Sequence, residues 1–187
     1  MSGFLSLRAL RRLGVSLGGK NIQVSKDAIL HNPHNITIGN YTRIDAGVVM
    51  SASSPISVGD YVHIARNCLF YSGKRIDIRN FVTISAGCKF YGSTDTYDGS
   101  CLIGPTIPEK YRNVETGEIV LEDFSSVGTS VVVMPNSIVK TGCVLGASSF
   151  LSKTNLEEWT IYAGSPLKEI KPRKRDMIEL ARQLRNE

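Results

Sequence analysis

A chain of 187 residues with 42% hydrophobic and 21% charged side chains has enough apolar material for one well-buried domain and a short appendage, and no composition shift divides it into two cores. No run of about 18 apolar residues occurs, which excludes an integral membrane segment. The net charge of +5 invites a nucleic-acid partner, but the basic residues gather at the ends with no aromatics interleaved for base stacking, so none is expected.

Residues 1–15 form an N-terminal arm in which Arg8, Arg11 and Arg12 stand among leucines. The arm lacks the continuous apolar stretch and small-residue cleavage site of a signal peptide, and the expected compartment is cytoplasmic. Two readings of it stay open: a packed or frayed terminus, and a short amphipathic helix on a membrane surface.

Residues 16–170 carry an internal repeat. Ile38-Gly39-Asn40-Tyr41, Val58-Gly59-Asp60-Tyr61 and Ile78-Arg79-Asn80-Phe81 follow one another at intervals of 20 residues, and Leu121-Glu122-Asp123-Phe124 repeats the pattern later. Within a period the large aliphatic or aromatic residue returns every six positions, as in Ile38, Ile44 and Met50 or Ile78, Ile84 and Phe90. After a break the sixes resume at Leu121, Val127, Val133, Val139, Leu145 and Leu151.

A period of six fits neither an amphipathic helix nor a hairpin meander. It fits a triangular coil in which each short strand sends one large side chain inward. The predicted fold is therefore all-β, a left-handed parallel β-helix of hexapeptide repeats with a loop insertion and a C-terminal α-helix. The position four residues after each large one should be small and inward. Thr42, Val48, Val62, Cys68, Val82, Cys88, Val131, Ser137, Cys143 and Ser149 occupy it. Three of the four cysteines thus read as core residues. Cys68 and Cys88 sit one coil apart, near enough in principle for a disulfide, which a cytoplasmic compartment disfavours.

The step from Ile78 to Leu121 is 43 residues, so an insertion of 23 interrupts the coil, over about residues 93–117. Ser93-Thr94-Asp95-Thr96-Tyr97-Asp98-Gly99 is rich in turn formers, and insertions in repeat arrays tend to line a binding face. Cys101 lies in this loop, without a histidine partner that would make it a nucleophile. Residues 171–187 place Met177, Ile178, Leu180, Ala181 and Leu184 at helical spacing, predicting a helix that caps or packs along the coil.

The run Val144-Leu145-Gly146-Ala147-Ser148-Ser149-Phe150-Leu151-Ser152-Lys153, followed by Trp159-Thr160-Ile161-Tyr162-Ala163-Gly164-Ser165-Pro166-Leu167-Lys168-Glu169-Ile170, resembles the end of the coil in hexapeptide-repeat acyltransferases. With the repeat itself, the resemblance covers residues 36–172. It implies a homotrimer with acetyl-coenzyme A lying in clefts between neighbouring coils and no required metal. The pantetheine arm then maps onto Gly128, Thr129, Ala147 and Ser148. The nucleotide phosphates map onto Lys153 and Lys168, with Lys171 and Arg173 as weaker candidates.

Direct acyl transfer needs a base for the acceptor proton and a donor for the oxyanion, for which the Gly128 N–H is one candidate. Relatives that acetylate hydroxyls carry a histidine in the loop after the middle coils. This loop has none; Asp95 and Asp98 stand there instead. An ordinary aspartate is a feeble base toward an alcohol. Either His63, one coil earlier, is the base, or the acceptor is an amino sugar whose neutral amine needs little help. Asn67 and Tyr97 are candidate substrate contacts. Each has a plainer role available: His63 at an outward position equivalent to Arg43 and Thr83, Asp95 and Asp98 as turn formers, Tyr97 as a packing residue, and the lysines as solvated charges.

The expected activity is acetyl transfer from acetyl-coenzyme A to the amine or hydroxyl of a sugar or nucleotide-linked amino sugar for surface polysaccharide. Two other functions were weighed. A zinc enzyme of the carbonic-anhydrase type needs three converging histidines, and His31, His34 and His63 are not spaced by coils. A non-catalytic β-helix scaffold would have no use for the coenzyme-like end segment.

Overall fold

In the computed structural model, which describes residues 3–186, each period of the chain makes three short strands and three turns. Successive periods stack into parallel sheets of six, eight and six strands. The first face begins at Ser16–Leu17 and continues through Ile36–Ile38, Ile56–Val58, Ile76–Ile78, Ile119–Leu121 and Ser137–Val139. The second begins at Gln23–Val24 and ends with Thr160–Ala163, against which Lys168–Pro172 folds back antiparallel. The third runs from Ile29–His31 to Phe150–Leu151. Together they form the parallel β-helix that the sixfold spacing predicts.

The period fixes the register. Ile38 lies beside Val58, Val58 beside Ile78, and Ile78 beside Leu121 across the insertion. Every large repeat residue points inward and is buried, including Ile44, Met50, Ile64 and Ile84. Phe70 and Phe90 stack in the interior with ring centroids 4.7 Å apart. A buried side chain of this size stabilises the fold by roughly 1.5–3 kcal/mol. The small positions are buried as well, and the four cysteines are free thiols. Cys68 Sγ meets the Ser85 carbonyl at 3.2 Å and Cys88 Sγ the Gly128 carbonyl at 3.0 Å, which stitches neighbouring coils.

The corner between the first two faces explains the recurring polar–aromatic pair. Asn40, Asp60, Asn80 and Asp123 form a ladder in which the side-chain oxygen of each of the last three accepts the backbone N–H of its predecessor, at 2.6–3.0 Å. The following residues, Tyr41, Tyr61, Phe81 and Phe124, all adopt left-handed backbone conformations. Such a conformation costs a non-glycine residue about 1–2 kcal/mol. The near-parallel stack of the same four rings, with centroids 4.7–5.0 Å apart, offsets that cost. Gly142 occupies the aromatic's place one coil later, at φ +68, where a Cβ would collide with the Trp159 indole.

The described part of the arm is packed. Helix Leu7–Leu13, capped by Ser6 Oγ on the Ala9 N–H, buries Leu10 completely, and Leu10 and Val15 join the core beneath the first coil. The C-terminal helix Met177–Asn186 runs along the coil, its Met177, Leu180 and Ala181 facing Tyr61, Phe81 and Phe124. Among the described residues no helix is long and apolar enough to cross a membrane.

The insertion leaves at Gly92 and returns at Gly117, whose N–H donates to the Gly92 carbonyl at 2.9 Å. Its root is an antiparallel pair of short strands, Ser93–Asp95 against Val114–Thr116.

Candidate active site

Tyr71 and Tyr91 sit side by side at the end of the third face, one coil apart. The root of the insertion stands beside them, and together they wall an open cleft of about 590 Å³, completed by Tyr97, Pro105 and Met134. Asp95, opposite Val114 in the hairpin, lines this cleft. Its Oδ1 accepts from Arg112 Nη2 at 3.1 Å, and the two side chains are 17% and 18% exposed. Tyr97 is 72% exposed on the cleft's outer side.

Asp98 lies three residues on, outside the cleft lining. Its Oδ1 accepts from both the Ser100 N–H and the Ser100 hydroxyl, an Asx turn that shapes the loop and holds its carboxyl below the usual range. The two loop aspartates, indistinguishable by composition, are thus separated by what they touch.

His63 belongs to the second face, in register with Arg43 and Thr83. Its Nε2 lies 3.0 Å from Asp45 Oδ2, and Arg43 Nε donates to the other oxygen of Asp45 at 2.7 Å. Burial alone would raise the pKa of Asp45, but these two hydrogen bonds hold it below the ordinary carboxylate range. The cluster lines a separate depression with Tyr41 and Tyr61. Within one chain His63 and Asp95 are therefore not brought together.

Asn67 is an exposed corner residue in the left-handed conformation, and its amide lies over Gly47, where any Cβ would meet it. The same corner lower down is built from small residues. Thr129, Ala147 and Ser148 are exposed, and the Ser148 N–H donates to the Thr129 carbonyl at 2.8 Å. Gly128 has no room for a side chain, since a Cβ would stand 2.6 Å from the Ala147 nitrogen. Its N–H donates to the Leu145 carbonyl at 2.7 Å, so in this structure that N–H is engaged in the ladder and does not face an oxyanion.

Ser85 occupies the corner position directly above Gly128, because Ile84 pairs with Val127. Sequence reasoning passed over it. Its column holds Ser25, Asp45, Ala65, Gly128 and Gly146 as well, so no local pattern marks it.

Lys153 Nζ pairs with Glu115 Oε1 at 2.7 Å, which ties the last coil to the hairpin root and lowers the pKa of Glu115. Lys168 is exposed opposite Ala163 on the final strand. Arg173 is committed elsewhere: its Nη1 donates to the Phe124 and Gly142 carbonyls at 2.7 and 3.0 Å. That pins the C-terminal segment to the aromatic corner and leaves the guanidinium poorly placed for a phosphate.

No protein-family model matches the chain. A dTDP-4-amino-4,6-dideoxy-D-glucose acyltransferase of Escherichia coli is 31% identical over 172 residues, 91% of this chain and 89% of its own. AntD, an N-acyltransferase from Bacillus cereus solved with dTDP and coenzyme A, superposes with a TM-score of 0.93 at 35% identity, covering 100% of this chain and 99% of that one. AntD has also been solved with dTDP and 3-hydroxybutyryl-CoA, and with dTDP-4-amino-4,6-dideoxyglucose and coenzyme A. Several AntD structures, among them the superposed one with dTDP and coenzyme A and the one with the amino sugar, carry a substitution at one aspartate or at one serine ten positions before it. A hexapeptide-repeat acetyltransferase from Vibrio cholerae, at 18% identity and a TM-score of 0.56, shares the fold.

Proposed function

The chain belongs to the hexapeptide-repeat acyltransferases, in the branch that holds the dTDP-amino-sugar enzymes, and from that premise we propose that it transfers an acyl group from acyl-coenzyme A to the amine of a dTDP-linked 4-amino-4,6-dideoxy sugar. The observation that carries this reading is Asp95, held by Arg112 in a tyrosine-lined cleft and ten residues after Ser85, the spacing of the aspartate and serine substituted in AntD.

The chemistry suits a carboxylate. The neutral amine attacks the thioester carbonyl through its own lone pair, forming a C–N bond and a tetrahedral oxyanion. Its basicity drops as that bond forms, and a weak base such as Asp95 then takes the proton. Collapse of the oxyanion breaks the C–S bond and releases coenzyme A as a thiolate, which is protonated on leaving. The same spacing assigns Ser85, at the corner above the small-residue bed, the role of hydrogen-bonding the amine or the oxyanion.

The small-residue corner at Gly128, Thr129, Ala147 and Ser148 offers a flat bed for the pantetheine arm, and Lys153 and Lys168 supply charge for the phosphates. The cleft is open on one side, and a second copy of the chain in a trimer would close it. The outward row on the third face is apolar at both ends, Ile29, Val49 and Leu69 on one side and Val132 and Phe150 on the other, with Lys89 between them; Ile29 is 50% and Phe150 41% exposed in the single chain, and these two apolar patches support that assembly. An acyl-CoA donor and a sugar-nucleotide acceptor fit a cytoplasmic enzyme. Both acetyl and 3-hydroxybutyryl donors fit the proposal.

The test is thiol release from acetyl-CoA and 3-hydroxybutyryl-CoA with dTDP-4-amino-4,6-dideoxyglucose and with its 4-hydroxy counterpart. Release with the amine alone is expected. Release with the hydroxy sugar and none with the amine would overturn the reading.

A further inference from the structure

Among the described residues Arg112 is the one side chain that hydrogen-bonds the Asp95 carboxylate, and the contact is one-sided. Nη2 meets Oδ1 at 3.1 Å, Oδ2 makes no hydrogen bond among the described residues, and the buried Arg112 Nε has no partner either. A guanidinium of this kind can grip both oxygens of a carboxylate through a fork. Here it grips one and leaves the other without a hydrogen-bond partner, in a residue that lines the cleft. We propose that Arg112 is a positioning residue for acyl transfer, holding Asp95 by Oδ1 so that Oδ2 is the atom that accepts the proton of the attacking amine. This rests on Asp95 being the base.

The local fold supports the assignment. Asp95 and Arg112 stand 17 residues apart on the two strands leading into and out of the insertion. The backbone beneath them is fixed by the register of Asp95 against Val114 and by the hydrogen bond from the Thr96 N–H to the Asn113 carbonyl at 2.9 Å. The hairpin therefore stands without the ion pair, and what Arg112 adds is the orientation of one carboxylate. The unpaired Nε is the cost of that one-sided grip: a buried donor without a partner is disfavoured and has no purely structural reason to persist beside an acceptor as close as Asp95. A full fork would tie up Oδ2.

The experiment compares Arg112→Met, Arg112→Lys and Asp95→Asn, each checked for native circular dichroism and for coenzyme A affinity. A misplacement of about 1 Å can cost about a hundredfold in rate. Arg112→Met is expected to lower kcat by about that factor while leaving KM for acyl-CoA unchanged. Arg112→Lys, which keeps a donor, should recover at least about a tenth of wild-type kcat. Dilute guanidinium added to Arg112→Met should raise kcat without affecting the wild type. Full kcat in Arg112→Met overturns the proposal, as does a loss that neither lysine nor guanidinium relieves. Full turnover in Asp95→Asn instead removes the base assignment itself, an outcome read from a different variant.

Discussion

Asp45 Oδ2 lies 3.0 Å from His63 Nε2 across neighbouring coils of the second face, while Arg43 holds the other carboxylate oxygen at 2.7 Å. With its folded pKa depressed by these partners, Asp45 contributes stability that is present above the ordinary aspartate range and lost as pH falls through the folded value. The partners are about half exposed, so screening limits the contribution to about 1 kcal/mol or less. Asp45→Asn is expected to lower Tm by about 2–4 °C at pH 7, with the difference from wild type disappearing in strong acid. Melting curves across pH check this, and a difference that grows toward acid would contradict it.

Within one chain the same geometry sets His63 apart from Asp95. It is paired on the second face, away from the cleft that Asp95 lines. Loss of a general base costs roughly 10²–10⁴ in rate. Asp95→Asn should therefore drop kcat into that range, while His63→Ala keeps it within about threefold. A steady-state comparison with the amino sugar decides between them, and the reverse ranking would move the base to the second face.

The coil was legible in the sequence because each period repeats its constraints. A large inward residue every sixth position and a polar–aromatic corner every twentieth leave a single register, and they bounded the insertion within a residue of Gly92 and Gly117. What escaped was everything held by one contact. The strands at the hairpin root are three residues each, too short for a period-two pattern to show. Arg112 reaches Asp95 from 17 residues away, and Arg173 reaches the Phe124 carbonyl from 49, so neither has a local signal. The resemblance makes Arg173 a weaker phosphate candidate by position, whereas its hydrogen bonds go to backbone carbonyls. Asp95 and Asp98 read alike until their partners were visible.

Gly142 joins the corner stack to the last coil. Its left-handed backbone and its lack of a Cβ let Trp159 tilt over Phe124 at 5.9 Å. Gly142→Ala adds a strained conformation and a collision with the indole, and should destabilise the protein by about 2 kcal/mol or more. Urea denaturation followed by Trp159 fluorescence reads both the midpoint and the local environment. An unchanged midpoint would mean that the last coil shifts to make room at no cost.

Arg173 tests how the C-terminal segment is docked. Burial, the main influence on its guanidinium, disfavours the charge, and the two carbonyl contacts compensate. Arg173→Ala leaves those carbonyls unpaired, at a cost of about 1–3 kcal/mol. The expected result is faster limited trypsin cleavage at Lys171, Lys174 and Arg175, with the preceding coil protected. Uniform cleavage along the chain would show that the contact supports the whole β-helix.

Lys153 has two calls on its charge, because Glu115 at 2.7 Å occupies it in the free chain while the proposed coenzyme phosphates would compete for it. Both side chains are substantially exposed, so the pair adds little to stability. Glu115→Gln frees the ammonium and should lower KM for acyl-CoA by about twofold to threefold, an electrostatic gain that shrinks at high salt. Lys153→Met should raise KM for acyl-CoA, with KM for the sugar nucleotide unchanged in both variants. Titration with coenzyme A and with its form lacking the 3′-phosphate locates the charge. A Lys153→Met protein that binds both as tightly as wild type would leave the lysine a partner of the hairpin alone.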